Sequence, residues 1–547
     1  MDQIFQLKLV SGMTKARLHD PMIAFPQQTE ATALKGDRFF FAGLASVNAT
    51  HGGINAYIHV EGELAPYVTT YVVEHVPVRL PHYRDKADLD YIDHQPGLYP
   101  DLLRATNRIH MMDMLHQILF EVNVPKDMAP GAYPITVVLR GGTENEVVAE
   151  QTLTLEVLDA VLPQSDLLCT QWFHYDSLAD YYGVEVFSER HWEIVENFMT
   201  AYTNSGMNTI LTPIFTPPLD TVVGGERTTV QLVDVTVTNG KYSFGFDKLA
   251  RFCKLCKKVG ITDLELAHLF TQWGAAHAPK IMATVDGEYR RIFGWETEAT
   301  GDDYIGFLKE FIPAVKAKLD EFGYKDHYFF HISDEPNEKN LENYSAAKEA
   351  VWDLISDHPV RDALSKYDFY EKGVVQSPIV SNNHMAPYLE NNVPDLWTYY
   401  CCSQAKDVSN RFYAMPGYRA RVLGAQMYKY NIKGFLQWGY NFYYCRLSQY
   451  LINPFLVNDG DYAYPAGDPF VVYPGTDGKP IPSLHGILFE QALLDLRAMK
   501  AAEAKVGREA VIAAIEAEGK LEFTGYPRND AYLLKLRDTV NRLAAQA

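Results

Sequence analysis

Positive charge is scarce in this sequence. Its 49 Lys and Arg stand against 69 Asp and Glu, a net charge of −20. Such a surface repels phosphate backbones and anionic headgroups, so neither nucleic acid nor a membrane surface is expected as a partner. Also missing is any run of about 18 apolar residues, the length that spans a bilayer. The opening residues, MDQIFQLKLVSGMTKARLHD, lack the basic region and apolar segment of a secretory leader. A cytoplasmic location is expected, or a secreted protein whose leader has been trimmed. Cysteine is sparse: Cys169, Cys253, Cys256, Cys401, Cys402 and Cys445 show no spacing of a disulfide framework. Cys253 and Cys256 form a lone CxxC in FCKLCKKVG, a weak zinc signal better read as two buried thiols one helical turn apart. The adjacent pair Cys401 and Cys402 reads as structural. No metal and no cofactor are expected.

What is present is a large globular chain. At 547 residues it exceeds one ordinary core, and 47% hydrophobic with 22% charged residues excludes disorder. Its 35 Tyr fit sugar stacking and a large β-rich core equally well. Residues 1–162 read as strands of an antiparallel β-sandwich, among them INAYIHVEGEL, YVTTYVVEHVPVRL, HQILFEVNV and EVVAEQTLTLEVLDAVL. From 163 to 500 short apolar runs alternate with helical patterns, which predicts a (β/α)8 TIM-type barrel. The runs begin at LLCTQWFHY, NTILTPIF, TDLELAHLF and DHYFFHISDEP, continue through VVQSPIVSN, DLWTYYC and GFLQWGYN, and take NRFYAMP as the eighth candidate. Residues 501–547 read as a short helical extension. The fold class expected is thus multidomain β plus α/β.

In such barrels the site forms at the C-terminal ends of the strands. Reading past each apolar run gathers Trp172, His174, Asn383, Tyr399, Trp438, Tyr440 and Asn441 as candidate substrate-binding residues. Aromatic faces stack on sugar C–H surfaces, and amides bind hydroxyls. The bland alternatives are tryptophans that plug the barrel and, for His331, a satisfied core histidine. The pair Asp334 and Glu335 in HISDEP is hardest to explain blandly, because carboxylates beside Phe329, Phe330 and Ile332 are costly to bury without partners. Neighbours on a strand face opposite ways, so both reach one cavity only if the strand ends or bulges near Ser333. No Glu occurs between Glu390 and Glu490, where a conventional retaining glycosidase would carry its nucleophile. Two close acids suit a substrate-assisted reaction instead, in which a 2-acetamido group attacks its own anomeric carbon. One carboxylate steadies the acetamido group while the other serves as acid and then base.

HISDEP and GFLQWGYN, with DPFVVYPGTDGKPIPSLHG and VPKDMAPGAYPITVVLRGG, resemble glycoside hydrolase family 123, the β-N-acetylgalactosaminidases. The resemblance runs in order over nearly the whole chain. It implies a sandwich and a catalytic barrel, no metal, and retaining, substrate-assisted removal of terminal β-linked N-acetylgalactosamine. By motif, Asp334 would stabilise the acetamido group and Glu335 would be the acid/base. Trp438 is implied in the pocket wall, with Asn441 just after it. The chain departs from the family at HGILFEQALLD, where His485 and Glu490 replace expected arginines. A barrel glycosidase of other specificity and a silent carbohydrate-binding protein remain alternatives. Oligomeric state is not legible.

Overall fold

Period-two burial builds the N-terminal region: Leu153, Leu155 and Val157 of one strand face inward while their neighbours do not. The computed structural model describes residues 4–48, 52–141, 145–336 and 338–546. Strands β1 (Phe5–Ser11), β3 (Arg38–Val47), β5 (Val68–Val78), β6 (Gly97–Ala105) and β8 (His116–Asn123) pair as β1-β3-β8-β5-β6. Strands β2 (Glu30–Lys35), β4 (Ile54–Glu61), β7 (Arg108–Met111), β9 (Gly131–Gly141) and β10 (Glu146–Val161) pair as β2-β10-β9-β4-β7. Facing side chains of the two sheets, such as Phe41 and Ile118 against Ile135 and Leu155, share one core. VPKDMAPGAYPITVVLRGG does not fold back on itself. It crosses from β8 in one sheet to β9 in the other, and β9 pairs with β10.

The second half follows another rhythm. Parallel strands β11 (Leu168–Gln171) and β12 (Thr209–Thr212) precede a side sheet of β13 (Asp234–Thr238), β14 (Lys241–Gly245), β16 (Ile281–Val285) and β17 (Glu288–Phe293), within which β15 (Asp263–Leu266) is inserted in sequence. The parallel series resumes with β18 (Tyr328–Phe329), β19 (Arg361–Leu364), β20 (Ser377–Ser381), β21 (Trp397–Tyr399) and β22 (Gly434–Gln437). These form a three-stranded sheet β12-β15-β18 and a five-stranded sheet β11-β22-β21-β20-β19. Strand pairing closes no barrel among the described residues. At one seam, Phe330 N–H donates to Pro359 O at 3.0 Å and Arg361 N–H to Phe330 O at 2.9 Å. At the other, Asn208 substitutes for a strand: its N–H reaches Cys169 O at 3.2 Å, and its side chain accepts from Cys169 N–H at 2.8 Å.

NRFYAMP is not a strand. Asn410 spends its amide on Cys401 O and Gln404 O, while the buried Arg411 guanidinium braces Gln171, Gln437 and the Gly439 and Asp468 carbonyls. The further parallel strand is β19, a fully buried four-residue strand that opens on the charged pair Arg361-Asp362 and so carries no apolar run. Helices alternate with these parallel strands. Glu189–Asn204 starts at Ser188, whose hydroxyl accepts from His191 N–H, and Asp247–Val259 stops at Gly260, which takes φ +96°.

The long helix Leu484–Val506 passes through residue 500, the end expected for the second domain, and docks on the N-terminal sheets. His485 and Glu490 lie at this junction. His485 donates from Nδ1 to Asp101 Oδ1 on β6 at 2.7 Å and from Nε2 to Phe470 O at 2.8 Å, while Tyr473 OH donates to Asp101 Oδ2 at 2.6 Å. Burial alone would raise Asp101; the His485 contact and these hydrogen bonds overcome it and hold the carboxyl below its ordinary value. Glu490 pairs with Arg38 of β3, which also holds Glu121 at 2.8 Å, and burial lifts Glu490 to about 7. A depressed carboxyl stabilises the fold above its unfolded pKa and loses that contribution as pH falls through its folded value. Asp101→Asn should therefore cost about 3 kcal/mol at pH 7. In urea denaturation, the gap from wild type should narrow as pH drops below about 4. A constant gap down to pH 2 would contradict this.

Candidate active site

A cavity of about 520 Å³ opens at the C-terminal ends of the parallel strands. Trp172 enters it just past β11, Trp273 beyond β15, and Asp334 and Glu335 beyond β18. Ala363 of β19 and Tyr399 of β21 form the floor, and Trp438 follows β22. The outer wall comes from longer loops that carry Asp220, Arg446, Tyr462 and Tyr464. One wall residue, Tyr83, belongs to the N-terminal region, and its hydroxyl donates to Ala463 O at 2.6 Å.

The two acids share this cavity because the backbone turns between them. β18 ends at Phe329, and Phe330 makes a single parallel bridge to Val360. Residues 331 and 332 then accept from Leu269 and Phe270 N–H groups, and Ser333 Oγ anchors on Thr271 O at 2.8 Å. Glu335 takes φ +43°, the left-handed region that a side-chain-bearing residue adopts rarely. Asp334 O accepts from Trp273 N–H at 3.0 Å, which holds the turn, and Tyr399 OH donates to Glu335 Oε1 at 2.9 Å. Burial raises both carboxyls. Asp334 is pushed well up, next by the charge of Glu335, whereas the Tyr399 hydrogen bond restrains Glu335.

Beneath the pair lies a buried charge network. His331 faces Glu265 from Nε2 at 2.7 Å and Asp362 from Nδ1 at 3.2 Å. Burial would depress His331, but these two acids overcome it and hold the imidazolium up to about 9. Glu265 also accepts from Thr170 Oγ1 and Trp172 Nε1, both at 2.7 Å, and Asp362 accepts from Tyr344 OH at 2.6 Å. His331 is thus a fully partnered core histidine. With His268 and Asp362 it clusters tightly enough to suggest a metal cage. The two imidazoles stack at 4.1 Å with planes 9° apart, however, so their in-plane lone pairs cannot converge on one ion.

Of the residues read from the sequence, Asp334, Glu335, Trp172, His174, Tyr399 and Trp438 line the cavity. His174 has no free ring nitrogen. Its Nδ1 accepts from Arg227 at 3.0 Å and its Nε2 donates to Trp438 O at 3.0 Å; burial and then Arg227 drive it down to about 3. It positions Trp438, whose indole N–H donates to Asp468 Oδ2 at 2.9 Å. Three residues do not reach the cavity. Asn383 is exposed and engaged with Gln404 and His384. Tyr440 is buried edge-on to Tyr202, with its hydroxyl on Phe198 O. Asn441 clamps the His174 backbone with both amide atoms, at 2.9 and 3.0 Å. Reading only the residues next to each strand missed Asp220, Tyr462 and Tyr464, which sit deeper in loops. No local pattern marked Tyr83.

The family model "Glycoside hydrolase 123, catalytic domain" matches residues 172–502. Among solved structures, a family 123 glycoside hydrolase from Clostridium perfringens, described for glycolipid glycan hydrolysis, superposes with a TM-score of 0.73 at 14% identity. That match covers 99% of this chain and 97% of that one. A β-glucuronidase from Ruminococcus gnavus gives a TM-score of 0.28 at 8% identity over 83% of this chain and 66% of its own, too low to bear on the argument. No curated protein sequence matches the chain. The catalytic-domain match spans well over half of the sequence and takes in the acid pair with most of the cavity around it, and on that ground the chain belongs to glycoside hydrolase family 123.

Proposed function

We propose that the protein removes terminal β-linked N-acetylgalactosamine by a retaining, substrate-assisted mechanism. The observation that carries this reading is the adjacent acid pair in one cavity, with no Glu at the ends of the later strands. Glu335 protonates the leaving oxygen. Asp334, one residue away, accepts the acetamido N–H and balances the charge of the oxazolinium ion as the acetamido oxygen closes on C1. Water, deprotonated by Glu335, then opens the ring with net retention. A crowded, dry pair retains a proton near neutrality; burial and the charge of Glu335 hold it more firmly on Asp334 in the empty site, and an acetamido N–H donated to Asp334 favours the ionised form of that carboxyl and leaves the proton to Glu335.

Glycolipid glycans, named for the Clostridium perfringens relative, are the substrate class we propose here. Val223, Tyr450, Leu451 and Leu456 are exposed on the loops that also carry Asp220 and Tyr462, which suits an apolar aglycone. In architecture, we read residues 1–162 as a β-sandwich and 163–500 as a (β/α)8 barrel interrupted at two seams. Residues 501–547 are read as a helical extension. The seam hydrogen bonds at Phe330 and Asn208 support the barrel. A conventional two-carboxylate glycosidase is the second reading, because the cavity also holds Asp220.

Release of nitrophenol from the β-N-acetylgalactosaminide, with the gluco epimer and the plain β-galactoside alongside, tests the proposal. Turnover confined to acetamido sugars is expected, with kcat falling about 10²- to 10⁴-fold in Glu335→Gln. Hydrolysis of the plain galactoside, or trapping by a 2-fluoro sugar, would favour the second reading.

The pH profile gives an independent check. A raised carboxyl stays protonated to higher pH, so the acid form is lost as pH rises through the raised value. The alkaline limb of kcat/KM should therefore lie above the ordinary 4.5 of a glutamic acid. Tyr399→Phe removes a hydrogen bond that favours the ionised form, so it should move that limb upward by about one pH unit. A limb that stays put, or moves down, would remove Tyr399 from this role.

A further inference from the structure

Asp220 is a third carboxylate in the cavity, and the acid-pair mechanism leaves it without a task. It stands in the loop after β12 with φ +42°, again left-handed. Three successive residues there are clamped from different directions. Arg227 holds Leu219 O at 2.9 Å, Ser448 Oγ holds Asp220 O at 2.7 Å, and Gln272 Nε2 holds Thr221 O at 2.8 Å. The carboxylate is fixed as well: Tyr464 OH donates to Oδ1 at 2.9 Å and Leu447 N–H to Oδ2 at 3.0 Å. The left-handed turn is held by contacts from three separate segments, which fixes the carboxylate at the cavity edge.

Its charge is the unsolved part. Among the described residues no cation makes an ion pair with Asp220. The nearest buried guanidinium, Arg227, is spent on Asp176 in two hydrogen bonds of 2.7 and 2.9 Å. Each Asp220 oxygen has one protein donor and capacity for another. The open side is the cavity, shared with Asp334, whose carboxyl feels the charge of Asp220. A mostly buried carboxylate with half its acceptor capacity unused is costly unless a ligand supplies donors.

We propose that Asp220 is the hydroxyl-binding residue of the sugar subsite, accepting from two neighbouring ring hydroxyls of the terminal residue. This rests on the glycosidase reading above but not on the acetamido mechanism. Two hydroxyls held by Asp220 and its Tyr464 partner must carry no further sugar. The site then takes only a non-reducing terminal unit, and Asp220 is the residue that reads it.

Binding of free N-acetylgalactosamine and its 3-, 4- and 6-deoxy analogues, measured by calorimetry on wild type and Asp220→Asn, tests this without turnover. Hydrogen bonds to a charged group predict a loss of about 10- to 100-fold for the parent sugar in the variant. The loss should shrink for each of the two deoxy analogues that lacks one of the bound hydroxyls and keep the parent's size for the third. If Asp220→Asn does not fold, Tyr464→Phe loosens the carboxylate and should weaken the parent sugar more than those two analogues. Equal losses across all analogues would overturn the proposal. So would wild-type-like sugar binding by Asp220→Asn together with turnover abolished and restored by azide, which would make Asp220 a nucleophile. Should sugar binding depend on Asp220 while no N-acetylgalactosaminide is hydrolysed, the functional reading fails and this one stands.

Discussion

Two neighbouring carboxylates can face one cavity only if the backbone between them leaves the extended form. In a strand their Cβ atoms diverge. Here the chain gives up strand geometry at Phe329, several residues before the acids, and enters the left-handed region at Glu335. That conformation is unfavourable for a side-chain-bearing residue, so the surroundings must impose it. Trp273 N–H caps Asp334 O, Ser333 is tied to Thr271, and the Tyr399 hydroxyl fixes the Glu335 carboxyl from the opposite sheet. The acid pair is therefore a product of contacts between neighbouring strands, and no one strand could hold it alone.

Charge has to be settled beneath that pair too. Glu265 and Asp362 lie on β15 and β19, flanking β18, and both are wholly buried. His331 between them, held as imidazolium, neutralises part of this charge while Thr170, Trp172 and Tyr344 donate to the rest. The arrangement links strands on both sides of the Phe330 seam, where main-chain pairing is thin. Side chains thus carry cohesion that a longer β18 would have supplied through its backbone. Asn208 does the same at the second seam. Short strands free the chain to turn early into the cavity, and buried polar side chains restore the connection between sheets.

Much of this was legible in the sequence where the signal is local. Strand-and-helix alternation, the Ser188 cap, the Gly260 stop and the placement of Asp334, Glu335, Trp172, Tyr399 and Trp438 near strand ends all follow from patterns within a few residues. Other features depend on three-dimensional proximity. β19 hides behind Arg361-Asp362, because its buried aspartate makes sense only beside His331. Asn441 looks like a sugar ligand until its amide is seen bonded to the His174 backbone. Asp220, Tyr464 and Tyr83 reach the cavity from loops whose path no periodicity describes. The substitutions at His485 and Glu490 were visible, but their consequence was not, since Asp101 and Arg38 lie hundreds of residues away.

That last contact bears on the cavity itself. Tyr83 connects the N-terminal region to Ala463, Arg79 of the same segment pairs with Asp459 at 2.6 Å, and Tyr464 meets Asp220. The outer wall of the pocket is thus braced from the N-terminal sheets, which are in turn held to the catalytic half by Asp101–His485 and Arg38–Glu490. A change at the domain junction can alter how firmly the wall carrying Tyr464 stands, without touching a cavity residue. The N-terminal sheets therefore act as more than a neighbour to the catalytic half. They are the support against which its long loops are set, including the segment that carries Tyr464.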